Sequence, residues 1–76
     1  MNMPVIDAKR TGERIGALRD AAGLTNAAIA AAMGFSTRNA VYKWLKGEAL
    51  PTLDNMLILA SLFGVKIDDI LVVKVL

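Results

Sequence analysis

The chain has 76 residues, of which 55% are hydrophobic and 21% charged, and this predicts one compact domain rather than a disordered chain. It contains no cysteine and no histidine, which excludes disulfides, thiolate nucleophiles, histidine bases and zinc sites with the usual ligands. Asp7 interrupts the first residues and the apolar run Ile70 to Val73 is short, so we expect a cytoplasmic protein without a secretory signal or a membrane span.

The net charge of +2 is unevenly distributed along the chain. The segment from Lys9 to Lys46 contains seven basic and two acidic residues, an excess of five positive charges. The segment from Gly47 onward contains four acidic and two basic residues, and Asp7 supplies the remaining negative charge. The positive part is where a polyanion is expected to dock, although an ordinary solvated surface would show the same pattern.

Glycines divide the chain into helix-sized blocks, each placed where a helix commonly stops. These positions are Gly23, Gly34, Gly47 and Gly64. Before the first of them, Ile15 and Leu18 recur at helical spacing and predict helix 1 over residues 11–22, with Gly12 weakening its first turn.

The next block predicts two short helices joined by a tight turn. Thr25 caps helix 2 over about residues 26–33, an alanine-rich stretch of high helix propensity. After a turn at residues 34–36, helix 3 begins near residue 37 or 38 and ends at Lys46. Val41 and Trp44 share one face of helix 3 and are predicted to be core, while its other faces are polar and basic.

The last block predicts two more helices and an apolar tail. Leu50-Pro51 favours an extended connection, after which Thr52 caps helix 4 over residues 53–63. A broad apolar stripe on this helix is predicted from Leu53, Met56, Leu57, Ala60 and Phe63. A short helix 5 begins near Ile67, and the tail over residues 70–76 either continues it or forms a strand.

The central pattern is helix, short glycine-containing turn, helix, and it holds the second helix so that it projects from the surface. Such a helix fits the DNA major groove, where each base pair presents a distinct set of donors and acceptors. Around this pattern the chain resembles the Cro/C1-type (xenobiotic-response-element) family of helix-turn-helix transcriptional regulators. The resemblance is carried by residues 11–15, 23–25, 33–36, 40–48, 50–55 and 64–71.

The resemblance implies an all-α fold, a compact five-helix bundle of the phage-repressor DNA-binding type with a central helix-turn-helix and a possible short terminal strand. Residues 1–76 would form one DNA-binding domain, with an N-terminal arm over 1–8 and an apolar tail over 72–76. The implied function is sequence-specific binding of double-stranded DNA for transcriptional regulation, with a recognition helix over about 37–46. It implies no enzyme, no metal, no cofactor and no small-molecule ligand.

The resemblance also implies roles for individual residues. The start of a recognition helix usually reads bases, which assigns Arg38 and Asn39 to base reading and Tyr42 one turn later. Tyr42 could instead lie over the connection to helix 4. Phosphate contacts are implied for Thr25, Asn26, Ser36, Thr37, Lys43 and Lys46.

A single module of this size makes few base contacts, so a homodimer on a two-fold site is expected. Candidates for its interface are Ile58 and Leu62 on helix 4, together with Val72, Val73 and Val75 in the tail. Alternatively, the tail folds back on its own domain and pairs with residues 4–6 as two short strands.

A second hypothesis for the function is a protein-interaction module, such as an antitoxin-like domain that binds a partner protein. The low net charge and the alanine-rich helix 2 favour it. Asp68 and Asp69 form the only close carboxylate pair, but adjacent helical residues point about 100° apart. This pair is therefore interpreted as stabilising a helix start and not as an enzyme site.

Overall fold

The computed structural model describes residues 2–76 and contains five helices and one two-stranded sheet, as the sequence predicts. In chain order the elements are β1 (Pro4–Ile6), α1 (Ala8–Ala21), α2 (Asn26–Met33), α3 (Asn39–Lys46), α4 (Leu53–Phe63), α5 (Ile67–Ile70) and β2 (Val73–Val75). None of these helices is long and apolar enough to cross a membrane.

Helices α2 and α4 have the predicted bounds because side-chain caps and glycines set both of their ends. The Thr25 hydroxyl accepts a hydrogen bond from the Ala28 N–H at 3.0 Å, and the Thr52 hydroxyl accepts one from the Asn55 N–H at 3.2 Å. Gly34 ends α2 with a φ of 76°, a left-handed conformation that glycine adopts without the strain of a Cβ.

The predicted start of helix 1 at Thr11 is wrong. Helix α1 begins at Ala8, and the Asp7 carboxylate caps it by accepting a hydrogen bond from the Arg10 N–H at 3.0 Å. Gly12 is not a weak first turn but a buried crossing point, where an added Cβ would lie 2.8 Å from the Leu45 carbonyl oxygen of α3. Glycine at this position allows close contact between α1 and α3. Its presence therefore does not show that α1 begins nearby.

Helix α3 begins at Asn39, one or two residues after the predicted start at residue 37 or 38. Arg38 is its N-cap residue, with φ −91° and ψ 2°, and its side chain makes no capping hydrogen bond. Residues 36–38 form a bend that leads into the helix. The Arg38 side chain therefore makes no hydrogen bond to the backbone at the start of α3.

The core contains one fully buried aliphatic residue from each helix. These are Ile15, Ile29, Val41, Leu59 and Ile70. Trp44 is also buried, which confirms its predicted place in the core, and its ring meets that of Phe35 edge-on at a centroid distance of 5.9 Å.

The predicted apolar stripe of helix 4 is only partly correct. Met56 and Ala60 are buried and Phe63 packs against the core, but Leu53 and Leu57 are 79% and 60% exposed. Helix α4 packs against α2 and α5, which cover one narrow face of it. A stripe wider than that face leaves part of its apolar surface in solvent.

The apolar tail forms a strand and folds back on its own domain, the second of the two alternatives left by the sequence. Strand β2 pairs antiparallel with β1, and the register joins Pro4 to Val75, Val5 to Lys74 and Ile6 to Val73. The sheet is tied to α1 by Thr11, whose hydroxyl accepts a hydrogen bond from the Val72 N–H at 3.0 Å.

Candidate nucleic-acid interface

Helix α3 presents one face to the core and the other to solvent. Val41 and Trp44 form its buried face. Its exposed side chains, with the residue that precedes it, are Arg38, Asn39, Tyr42, Lys43 and Lys46. An eight-residue helix is about 12 Å long. The sequence therefore builds a short amphipathic rod whose outer surface is polar and basic.

The turn between α2 and α3 is fixed at both of its ends. The Gly34 and Phe35 N–H groups donate to the Ala31 and Ala30 carbonyls at 3.0 Å each, and this closes the last turn of α2. The Phe35 ring then packs against Trp44 of α3. Because the turn is held to both helices, the direction of α3 relative to α2 is defined.

A surface cleft of about 450 Å³ lies between α2 and the start of α3. Its α2 side consists of alanines, whose small side chains leave the space open. Its lining residues are Ala27, Ala30, Ala31, Phe35, Ser36, Thr37, Arg38, Asn39 and Tyr42. The cleft brings together the three predicted base-reading residues and two of the predicted phosphate contacts. Thr25, Asn26, Lys43 and Lys46 lie outside it.

Two predicted phosphate contacts lie at the start of α2, where backbone N–H groups point outward and favour an anion. Thr25 uses its hydroxyl oxygen as an acceptor in the helix cap, which leaves the hydroxyl proton available to a ligand. The Asn26 side-chain oxygen accepts a hydrogen bond from Arg19 Nη1 at 2.7 Å, so its amide nitrogen is the group left to donate.

Arg19 is a contributor to this site that the sequence reasoning did not identify. Besides orienting Asn26, it makes an ion pair with Asp20 at 2.9 Å, and its side chain is only 22% exposed. Arg19 lies in the last turn of α1, seven residues before Asn26. No local spacing rule joins residues across a helix end and a loop, so only the folded arrangement shows the contact.

The exposed charges of α3 are not neutralised by the protein itself. Within residues 2–76 the one ion pair joins Arg19 and Asp20. Arg38, Lys43 and Lys46 therefore face solvent without a carboxylate within ion-pair distance. Lys43 and Lys46 also lie in the last turn of α3, where positive charge stabilises the negative end of the helix dipole. The arrangement suits a polyanion at the surface of α3.

The C-terminal end of α3 is held against α1 by two glycines. A Cβ added to Gly12 would meet the carbonyl oxygens of Trp44 and Leu45. A Cβ added to Gly47 would lie 2.6 Å from the Lys9 Cα. Both glycines thus allow backbone contact between the helices, and this contact anchors α3 from the end opposite to Arg38.

The exposed, anchored α3 and its glycine turn are the architecture of a DNA-binding helix-turn-helix protein. A helix-turn-helix family model matches residues 15–70, more than half of the chain. The protein belongs to this family, of the Cro/C1 type, and its function is sequence-specific binding of DNA for transcription regulation. Proteins of the family are DNA-binding regulators and not enzymes.

The solved structures that are similar to the chain include two DNA-related regulators of nearly the same length. The restriction-modification controller protein C.AhdI from Aeromonas hydrophila has a TM-score of 0.74 and 28% identity, over 84% of this chain and 96% of that one. The DNA-binding domain of BldD has a TM-score of 0.70 and 22% identity, over 87% and 94% of the two chains, and it supports the fold alone. No curated protein sequence matches the chain.

Proposed function

We propose that the protein regulates transcription as a homodimer that places one α3 helix per subunit in the DNA major groove, with Arg38, Asn39 and Tyr42 reading bases. The observation that carries this proposal is the cleft, which gathers all three side chains at the exposed end of α3. The opposite face of the same helix is buried, so these side chains are presented on a rigid support.

Arg38 and Asn39 each match a different base. The guanidinium of Arg38 is a planar set of donors that fits the O6 and N7 acceptors of guanine. The side-chain amide of Asn39 has one donor and one acceptor, which fits N7 and N6 of adenine. Tyr42 lies one turn further along α3, is 40% exposed and lines the same cleft, which favours a groove contact for it.

The remaining site residues lie around the N-terminal end of α3 or further along it, and they carry groups that can bind phosphates. Thr25 and Asn26 offer a hydroxyl proton and an amide at the start of α2, and Ser36 and Thr37 are exposed in the turn. Lys43 and Lys46 add two uncompensated charges further along α3. Contacts to phosphates set the orientation of the protein on DNA, since phosphates carry no sequence information.

The homodimer follows from how much DNA one α3 can read. A helix of eight residues touches only a few base pairs, and regulators of this type reach specific affinity by binding two half-sites about one helical turn apart. A two-fold arrangement of subunits matches a two-fold operator.

The test is selection of binding sites from genomic DNA fragments, followed by affinity measurements over a salt series with the parent and Arg38→Ala. We expect the logarithm of the parent's affinity to fall linearly with the logarithm of salt concentration, because bound phosphates release counterions. Loss of Arg38 should cost about 1–3 kcal/mol and relax the preference at one base position in each half-site.

Lys74→Ala is the matched control, because it removes one exposed positive charge from β2, outside the cleft. It should leave base preference unchanged. A parent protein that binds all fragments equally at every salt concentration would overturn the proposal.

A further inference from the structure

One side of the molecule carries an exposed apolar surface that DNA binding does not use. We call it the apolar face, and its members come from the sheet, from the connection after α3 and from α4. They are Ile6, Leu50, Leu53, Leu57, Val73 and Val75. All six are at least 40% exposed, and four of them, Leu53, Leu57, Val73 and Val75, are more than half exposed. None of the six is charged.

The register of the sheet and one small hollow make this face continuous. Side chains of paired residues point to the same side of a sheet and alternate along each strand. The pairs Pro4–Val75 and Ile6–Val73 therefore share one side, and all four residues are exposed. Ile6 also lines a hollow of about 70 Å³ together with Leu50 and Leu53. The sheet and the start of α4 thus border the same depression.

The apolar face has a larger exposed area than isolated apolar residues on a protein surface would have. From their exposed fractions, the six side chains present roughly 500–600 Å² of apolar surface, comparable to the largest patch on a typical monomer. A partner in a stable complex contributes about 800 Å² in total, including a polar rim. The face is therefore large enough to form the centre of an interface.

We infer that a second copy of this chain covers the apolar face in a two-fold dimer. This inference rests on the proposed homodimer and assigns its interface. Two identical faces can meet only if they bring no like charges together, and this condition is met because the six residues are uncharged. The face also carries a small apolar hollow lined by Ile6, Leu50 and Leu53, beside the exposed side chain of Leu57.

The position of the face leaves the DNA site open. Leu50 follows the C-terminal end of α3, whereas Arg38 and Asn39 lie at the N-terminal end, about 12 Å away along the helix. None of the six residues lines the cleft. A copy seated on the apolar face therefore leaves the base-reading residues exposed, as binding to DNA requires.

This face differs in part from the interface predicted from the sequence. It retains Val73 and Val75 but not Ile58 and Leu62, which are half-buried within the domain. Val72 precedes β2 and lines a different hollow, with Arg10 and Arg14. On α4 the inferred contact is therefore made by Leu53 and Leu57. These residues lie about one position around the helix from the predicted pair.

The experiment compares the parent with the double variant Leu53→Ser, Leu57→Ser by sedimentation and light scattering over a range of protein concentrations. We expect the parent to have twice the 8.1 kDa chain mass and the variant to have the chain mass, because the dissociation constant of the dimer should rise at least about 100-fold. Because both leucines are largely exposed, the variant should keep the parent's helical circular dichroism.

Leu76→Ser is the matched control, since Leu76 is 72% exposed and directly follows β2, where the alternation of side chains along an extended chain directs it away from the side of Val73 and Val75. It should remain dimeric. A parent that stays monomeric up to about 1 mM, or a double variant as dimeric as the parent, would overturn the inference. The first of these results would leave the face to a different protein partner.

DNA binding is measured in parallel so that the two proposals fail separately. Arg38→Ala should keep the dimer mass, because Arg38 is outside the apolar face. If the parent is dimeric through this face and yet selects no DNA sequence, the DNA contacts are wrong and the interface stands. If the double variant remains a dimer with full affinity for DNA, the interface is wrong and the DNA contacts stand.

Discussion

The C-terminal end of α3 is packed against the backbone of α1, whereas the N-terminal end lies in solvent beside an open cleft. Gly12 and Gly47 allow the close approach at the first end, and Arg38 and Asn39 occupy the second. A helix held firmly at one end can present the other in a constant orientation, and this reduces the entropy lost when its side chains bind. With the proposed base-reading roles of Arg38 and Asn39, stability and recognition fall at opposite ends of one eight-residue helix.

The largest effect is expected from Gly12→Ala. Alanine normally stabilises a helix interior, but here its Cβ would lie 2.8 Å from the Leu45 carbonyl oxygen and force α3 away from α1. We expect a loss of about 3 kcal/mol in the free energy of unfolding, measured with urea. Gly16→Ala is the control in the same helix, since its Cβ would meet only side-chain atoms at ordinary contact distances, Leu45 Cδ2 at 3.6 Å and Arg19 Nη2 at 3.9 Å.

The control variant should gain about 0.5–1 kcal/mol from the improved helix propensity. Equal effects of the two substitutions would show that the contact between α1 and α3 does not hold the helix in place.

A smaller effect is expected from Gly47→Ala, and it separates close packing from backbone strain. Gly47 and Gly34 both have a φ of 76°, but only Gly47 has backbone atoms within reach of a new Cβ. Gly34→Ala should cost about 1 kcal/mol from the left-handed conformation alone, and Gly47→Ala about 2–3 kcal/mol. Urea unfolding of both variants gives the difference. If the two costs coincide, only strain matters at this end.

At the open end of α3 the effect should appear in binding and not in stability. Asn39 is exposed at the first position of the helix, so Asn39→Ala should change the melting temperature by no more than about 2 °C. Its affinity for the selected DNA site should fall about tenfold, with the preference lost at one adenine. A variant that loses stability but keeps the parent's base preference would contradict this division of roles.

Local signals were sufficient to predict the elements whose ends are set by their own residues. Helices α2 and α4 were predicted with their observed bounds because Thr25 and Thr52 act within their own first turns. The start of α1 was missed because Asp7 was not recognised as its cap. Gly12 looks in the sequence like a weakness of the first turn. Its actual reason is contact with Leu45, a residue more than thirty positions away.

The candidate site was predictable to a similar extent. The positions of Arg38, Asn39 and Tyr42 on an exposed surface followed from the amphipathic pattern of α3, and the structure places all three on one cleft. The hydrogen bond from Arg19 to Asn26 could not be predicted, because it crosses from α1 to α2. Periodicity also could not show that Leu53 and Leu57 lie outside the core, since this depends on how much of α4 its neighbours cover.

The terminal sheet joins the two parts of the described chain that are most distant in sequence. We therefore expect it to open and close independently of the helices. Pairing across a long loop is entropically costly, so the strands should open while the helices remain folded. The Asp7 and Leu76 N–H groups, which donate to the Val72 and Met3 carbonyls at 2.8 and 3.0 Å, would then exchange their hydrogens with water. In the inferred dimer a second subunit would bind only the closed sheet, so we expect this exchange to slow as protein concentration rises. Hydrogen exchange at these two amides would therefore report dimer formation without an added label.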